Sequence, residues 1–475
     1  MKLLDLLRFK PLERFVRWRY SRFVMQVPLL LVALLALYDG FFGRQLAPKN
    51  FATVSVWLHY RGFLVLAIAV LGNLFCAACP MMLVRGPTRW AKRFLPQFAW
   101  PRALRNKYFV IGLTLLYLFA YEYWDLWESP WLTAWLILGY FVVAFVVDAL
   151  FPEGTFCKYV CPLGNFNFTL STVSPTQITA RDPKVCLSCE GHYCVNGRVE
   201  TPEGRKTLKE APDAEGLRFP GCETKLYVPQ IDSNMDCTLC MNCVRACPYD
   251  NVAWKLRAPL IEAAWARYKT DVVWLGVLLF FAGFMNALAM VPPYYQIAER
   301  LSALLGTRNE AVLLSTIYLL WTGLGLFLTV GVAALADRIS GVKEPPAKAV
   351  RFWGAGFFPL AFAMWAGHYT FHFLTGWATI IPVTQQALNN LGIYVGEPDW
   401  TLAALVPENW LYPLQVIILY IGLLAASYVL FRRARARNSF AAGAVVFLYF
   451  FLLVALALWV LAQPMEMRGT LLLPQ

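Results

Sequence analysis

Charge is scarce in this 475-residue chain, where only 15% of positions are Asp, Glu, Lys or Arg, against about 25% in a typical globular domain. With 59% hydrophobic residues, a mean hydropathy of +0.51 and several long apolar runs, that scarcity excludes a soluble enzyme and a disordered chain, because such runs aggregate in water. Acidic residues are the scarcer sign, 29 against 42 Lys and Arg, which leaves +13. The excess does not indicate nucleic acid as a partner, since the basic residues fall between apolar segments, where they set topology. No cysteine follows residue 247, and histidine occurs only four times. Solenoid-type repeats and low-complexity tracts are also missing, which excludes a repeat architecture.

Apolar stretches long enough to cross about 30 Å of hydrocarbon at about 1.5 Å per residue lie near residues 24–43, 54–78, 108–124, 131–151, 270–291, 311–335, 350–375, 410–431 and 439–462. The expected fold class is an all-α polytopic membrane protein with about nine transmembrane helices and an inserted α+β ferredoxin-like two-cluster domain. Its expected parts are a basic cytoplasmic N-terminus (1–23), a four-helix transmembrane region (24–151), a cytoplasmic iron–sulfur domain (152–265) and a five-helix transmembrane region (266–475). The first span should be a retained anchor, because Lys2, Arg8, Lys10, Arg14, Arg17, Arg19 and Arg22 spread too widely for a signal peptide.

Alternate loops carry Lys and Arg unequally. One side has the N-terminal seven, then Arg85 to Lys107, Arg338 to Arg351, and Arg432 to Arg437; the other has Arg44, Lys49, Arg300, Arg308 and Arg468. The positive-inside rule then places the N-terminus in the cytoplasm and the C-terminus outside the inner cell membrane. Two loops on the outer side are acidic, with Glu122, Asp125 and Glu128 in one and Glu397, Asp399 and Glu408 in the other. Membrane lipid is the first expected partner.

All twelve cysteines lie at 76, 79, 157, 161, 186, 189, 194, 222, 237, 240, 243 and 247. Clustering in short spacings reads as metal ligation in a reducing compartment and argues against a disulfide framework. Cys237, Cys240, Cys243 and Cys247 before Pro248 spell C-x2-C-x2-C-x3-C-P, the bacterial ferredoxin run, whose fourth thiolate ligates the other cluster of a pair. The partner half is looser: Cys186, Cys189 and Cys194, then Cys222 after a polar insertion from Val195 to Gly221. Exchange of fourth ligands assigns one [4Fe–4S] cluster to Cys186, Cys189, Cys194 and Cys247 and a second to Cys237, Cys240, Cys243 and Cys222. The wider spacing after Cys189, and Glu223 where proline is usual, leave a [3Fe–4S] or altered site open in the first half. His192 is expected to be a solvated loop residue.

Two more pairs, Cys76 and Cys79 in FCAACP and Cys157 and Cys161 in FCKYVCPLG, end in Cys-Pro at expected helix exits on one face of the membrane. Four thiolates at one depth would make a third metal or cluster site, or a dithiol relay; the alternative is small buried residues before helix-ending prolines. Together the FCAACP, FCKYVCPLG and CTLCMNCVRACP motifs resemble those of the NapH, NosR and CcoG group of membrane-bound polyferredoxins over roughly residues 50–260. The resemblance implies electron transfer between the quinone pool and a partner redox enzyme, or support of copper-site maturation. Four spans after residue 300 exceed the NapH pattern.

Three histidines fall within expected spans near the outer surface: His59, and His368 with His372 at i, i+4 on one helix face. Intramembrane ionisable residues are functional candidates. One arrangement is a b haem held between His59 and a span-seven histidine, with Arg61 on a propionate. The others are a quinol proton-acceptor site and interhelical hydrogen bonding. Asn73, Asn286 and Asp148 read as interhelical glue, and Trp57, Tyr60, Trp124, Trp127, Trp353 and Trp377 as an interfacial belt. His59 and Cys76 lie 17 residues apart, about 25 Å along one helix, so a relay is needed and the Cys-Pro thiols are best placed for it.

These readings converge on a quinol-linked oxidoreductase component. Electrons would pass from quinol through membrane-edge thiols to the clusters and a partner redox protein, with Lys184, Lys225 and Arg245 favouring reduction. The rival is a copper reductase or maturation factor, for which only Met81 and Met82 stand beside a Cys-Pro pair.

Overall fold

The computed structural model describes residues 4–202, 204–212, 214–258, 260–402 and 406–464. Lys2, Arg468 and the side chain of Glu408, used above for topology, lie outside the described residues. The chain is mostly helical with a small sheet region, and among the described residues seven helices are long and apolar enough to cross a membrane: Ser21–Phe42, Phe51–Val70, Pro130–Leu150, Thr270–Leu288, Glu310–Ile339, Leu411–Ala436 and Phe440–Leu461.

Two of the nine expected spans do not reach that standard. Tyr108–Tyr123 has 16 residues, about 24 Å of helix against about 30 Å of hydrocarbon. The stretch 350–375 is broken at Gly354–Gly356, and the helix that follows, Phe357–Thr375, is diluted by His368, Tyr369, Thr370 and His372. A third expectation also needs correction: span two ends at Val70, not residue 78. The chain turns at Gly72, whose φ of +87° favours glycine, and a Cβ there would press on Ser174 Oγ at 3.0 Å. Cys76 and Cys79 therefore lie beyond the span.

The chain folds into two compact units, whose boundaries fall inside Ser21–Phe42, Phe51–Val70 and Pro130–Leu150. The first takes in Met1–Leu34, Leu66–Asn106 and Leu138–Glu262, so the cysteine-rich segment shares its unit with the N-terminal segment and with 66–106. Its strands are β1 (Thr176–Ala180), β2 (Arg198–Thr201), β3 (Gly204–Lys206), β4 (Leu217–Phe219) and β5 (Val252–Leu256). Strand β1 alternates buried Thr176, Ile178 and Ala180 with half-buried residues, and it pairs antiparallel with β5 from Thr176↔Leu256 to Ala180↔Val252. The N-terminal segment extends this pair. Asp5 bridges to Lys255, accepts hydrogen bonds from the N–H groups of Leu7 (3.1 Å) and Trp254 (3.2 Å), and pairs with Arg181 at 2.9 Å. Leu7, Val16, Ile178, Val228, Val244 and Trp254 form the apolar core beneath.

The insertion between Cys194 and Cys222 forms the second sheet, antiparallel in the order β3-β2-β4. Its base is closed, because the Cys222 N–H donates to the Cys194 carbonyl at 2.8 Å.

The second unit comprises Leu35–Val65, Lys107–Ile137 and Ala263–Gln475. Thr270–Leu288 is its centre: 94% of its apolar window is buried, and it packs against Phe357–Thr375, Glu310–Ile339 and Tyr108–Tyr123. Close approach uses small residues, as expected where lipid offers no hydrophobic drive between helices. Gly276 lies against Phe358, and Gly422 against Ala363. The Trp365 indole N–H donates to the Leu279 carbonyl at 2.8 Å. Burial also corrects the belt expectation: Trp353 is 1% exposed and donates to Asp337 at 2.8 Å, and Trp57 and Trp127 are buried, while Trp124 is exposed.

Candidate functional site

Two cavities, each with about 340 Å³ of empty space that includes open solvent, lie among the cysteines of the first unit. Cys186, Cys189, Cys194 and Cys247 line one, with Tyr193, Tyr227 and Pro248. Cys222, Cys237, Cys240 and Cys243 line the other, with Ile178, Leu226 and Ile231. Each cavity takes three thiols from one cysteine run and one from the other, the grouping that the spacing implied. The closed base of the insertion explains how Cys222 reaches its place, since it fixes Cys222 beside Cys194 whatever the loop between them does.

The residues fit a polynuclear iron–sulfur guest. The loop over the second cavity holds Asp236, Leu239 and Met241 at φ of +66°, +50° and +58°, a left-handed conformation that side-chain-bearing residues adopt at a cost and retain where a ligand is clamped. Donors already address the sulfurs: Leu226 N–H to Cys222 Sγ at 3.3 Å, Asn251 N–H to Cys247 Sγ at 3.4 Å and the Asn251 side-chain amide to Cys186 Sγ at 3.2 Å. Burial pushes the thiols of Cys240 and Cys243 up and that of Cys194 to about 11, so a positively charged guest is needed to draw the protons off. Among the described residues no three His, Cys, Asp or Glu side chains converge closely enough for one metal ion.

Around the cavities the other residues singled out in the sequence fall as follows. His192 is exposed, at φ +41°, with its ring edge-on to Tyr227 at 4.9 Å. Lys184 and Lys225 are exposed. Arg245 is buried, and its guanidinium donates to the carbonyls of Val16 (3.2 Å) and Cys240 (2.8 Å), to Ser21 Oγ (2.9 Å) and to Asn242 (2.6 Å). It thereby pins the N-terminal helices to the ferredoxin-type run.

The two Cys-Pro pairs meet within the same unit. Cys79, Cys157 and Cys161 share an apolar cluster with Met82, Ala144 and Phe156, and Cys76 and Cys79 lie close enough to Cys161 for their charges to interact. Cys157 sits in a π-helical turn, Phe156–Val160, and Cys161 accepts from the Gly164 N–H at 3.1 Å; π turns recur at functional positions. Met82 Sδ lies 3.2 Å from Cys157 Sγ. Asn73 does more than glue helices: its side chain accepts from the Cys76 N–H (3.4 Å) and donates to the Cys237 carbonyl (3.1 Å). It thus joins the first pair to the loop of the second cavity.

One group was missed by sequence reasoning. Glu223, noted only as a replacement for proline, is a buried carboxylate clamped by ion pairs to Arg22 and Arg85, with Thr238 Oγ1 at 3.5 Å. Burial pushes its pKa up, but the two guanidiniums outweigh that and hold it at about 2. Arg85 also pairs with Asp148 at 3.2 Å and reaches Cys157 Sγ at 3.8 Å. Gly154 lets the chain lie against the Glu223 carbonyl at φ +87°, where a Cβ would collide. A charged residue directly after Cys222, where proline is usual, was the available signal.

In the second unit the histidines do not assemble as the haem arrangement requires. His59, in the π-helical stretch Val54–Tyr60, has its two ring nitrogens beside carbonyls, Nδ1 at 3.1 Å from Val54 O and Nε2 at 2.9 Å from Trp377 O, and a neutral ring donates to one of them. His368 and His372 face each other instead, Nε2 to Nε2 at 3.1 Å, with His368 0% exposed and its Nδ1 without a partner. Arg61 lies over the rings of Trp57, Tyr121 and Tyr369 at 4.6, 4.7 and 4.9 Å and donates to the Tyr121 hydroxyl at 3.2 Å. Arg61 is thus held among aromatic rings. Asn286 donates to buried Glu122 at 2.6 Å, an interhelical bond as expected.

Comparison of the chain with protein-family models, with curated proteins and with solved structures finds no match.

Proposed function

We propose that this chain is a membrane-embedded electron-transfer protein that carries electrons through two [4Fe–4S] clusters between quinol and a partner redox protein. One observation carries the reading: each of two similar cavities is lined by four cysteines drawn three and one from two runs. The motif resemblance to the NapH, NosR and CcoG polyferredoxins supports it. Each cluster, when bound, supplies a one-electron carrier.

The chain's own residues hold and tune these carriers. Eight thiolates ligate, and the N–H groups of Leu226 and Asn251 donate to cysteine sulfur, which favours the reduced state. Oxidation of one quinol releases two electrons and two protons, one electron for each cluster. In the second unit, His368 and His372 are the proton-accepting candidates, and Arg61 with Tyr121 offers hydrogen bonds to a quinone oxygen. His59 is a helix-fixing residue in this reading. The Lys and Arg bias between apolar runs supports a cytoplasmic side for the cysteine-rich loops in this reading.

Anaerobically purified protein should contain about eight irons and matching sulfide, with two interacting cluster signals by EPR after dithionite. Iron-free protein under strict anoxia would end the proposal. Reduction of the clusters by a short-chain quinol should be lost in His368→Ala and His372→Ala and kept in His59→Ala. Cys76→Ser should slow it if the Cys-Pro thiols are the relay.

The Met82–Cys157 sulfur pair favours a second reading, in which the clusters donate one electron to Cu(II) and the soft sulfurs receive Cu(I). Met82→Leu would then lower Cu(I) retention while leaving quinol-driven cluster reduction intact.

A further inference from the structure

We propose that Glu223, held between Arg22 and Arg85, is a positioning residue whose charge sets the reduction potential of the centre in the Cys222 cavity apart from that of the centre in the Cys186 cavity. The inference rests on the two-cluster reading. Glu223 follows Cys222 directly, is bonded to Thr238 between Cys237 and Cys240, and is buried, so its field reaches that cavity with little screening by water.

The clamp also has the wiring of a spacer. Arg22 donates from Nε to the Ala77 carbonyl at 3.1 Å, and Gln26, one turn on, donates to the Cys79 carbonyl at 2.9 Å. Arg85 reaches the other Cys-Pro segment through Asp148 and Cys157, and Lys158 donates to the Thr224 carbonyl at 3.0 Å. One carboxylate thus lies among the loop after Cys222, the Cys237–Cys240 loop and both Cys-Pro segments. Arg22 and Arg85 against Glu223 and Asp148 make a network of two charges of each sign, so the field at the Cys222 cavity changes in the sense of whichever member is removed. Potentials of iron–sulfur centres follow net local charge. Removing the carboxylate therefore makes reduction easier, and removing a guanidinium makes it harder.

The test is an EPR-monitored redox titration of the full-length protein in detergent, with the two signals assigned by Cys240→Ser and Cys189→Ser. Glu223→Gln should raise the potential of the Cys222-cavity centre, Arg22→Gln should lower it, Glu223→Asp should restore it toward the parent value, and the other centre should stay where it was. Opposite shifts from two members of one ion pair are not produced by loosened packing, which moves both variants the same way. If Glu223→Gln fails to fold, the downward shift in Arg22→Gln decides alone. Two signals whose potentials ignore the substitutions, or move together, overturn the clamp and spare the two-cluster reading. A parent protein with no iron–sulfur signal overturns the reading itself.

Discussion

The two cysteine cavities have the same size and the same number of thiols, yet all four thiols of one are half-buried, while two of the other's four are fully buried. Around the first, Leu187 is 82% exposed and Lys184, Ser188, Glu190 and Tyr249 are open to solvent. Around the second, Cys240 and Cys243 are buried, the loop is strained, and a four-residue charge network closes one side. The difference teaches a division of labour. A centre near water can exchange electrons with a soluble partner, while a buried centre keeps a potential fixed by protein charges.

Cys240→Ser should break the comparison outright, abolishing the buried centre's EPR signal and leaving the surface centre's. Loss of both signals would show that the cavities fold as one. Brief exposure of reduced protein to ferricyanide or oxygen should bleach the surface centre several-fold faster than the buried one, followed by EPR at timed intervals; equal rates would erase the contrast in access.

A pH experiment sharpens the contrast on the buried side. Glu223 lies at about 2, below the ordinary 4.5 of a carboxylate, so its ion pairs contribute fully above pH 4.5 and are lost as pH falls through about 2. That contribution is about 3 kcal/mol at neutral pH. Glu223→Gln should accordingly melt lower than the parent at pH 7, with the gap narrowing by pH 3. The smallest effect is expected at the rim: His192→Ala, in an exposed turn, should change stability by no more than about 0.5 kcal/mol and leave the surface centre's spectrum unaltered.

The cysteine groupings were legible because a C-x2-C-x2-C-x3-C-P run encodes them locally, through loop length and the turn before proline. The clamp was not. Arg22 and Arg85 belong to segments far from Glu223 in the chain, and in the sequence they counted only toward topology. Helix lengths were half legible. Hydropathy located the apolar runs but passed over Gly72 and Asn73, whose turn ends span two early, and over the three-residue break at Gly354–Gly356. The local geometry of His59 was not legible for a related reason. The spacing argument assumed a regular 3.6-residue helix, and the π-helical stretch Val54–Tyr60 shifts its register and brings the ring nitrogens onto carbonyls. The His368–His372 encounter did follow from i, i+4 spacing, though as partners of each other.

The hydrogen bond from Cys222 to the Cys194 carbonyl makes the β2–β4 ribbon a side branch whose two ends are stitched together. Length and sequence can vary in the branch while that bond holds, so a reporter peptide or small fluorescent module grafted there would ride on the protein and leave both thiols in place.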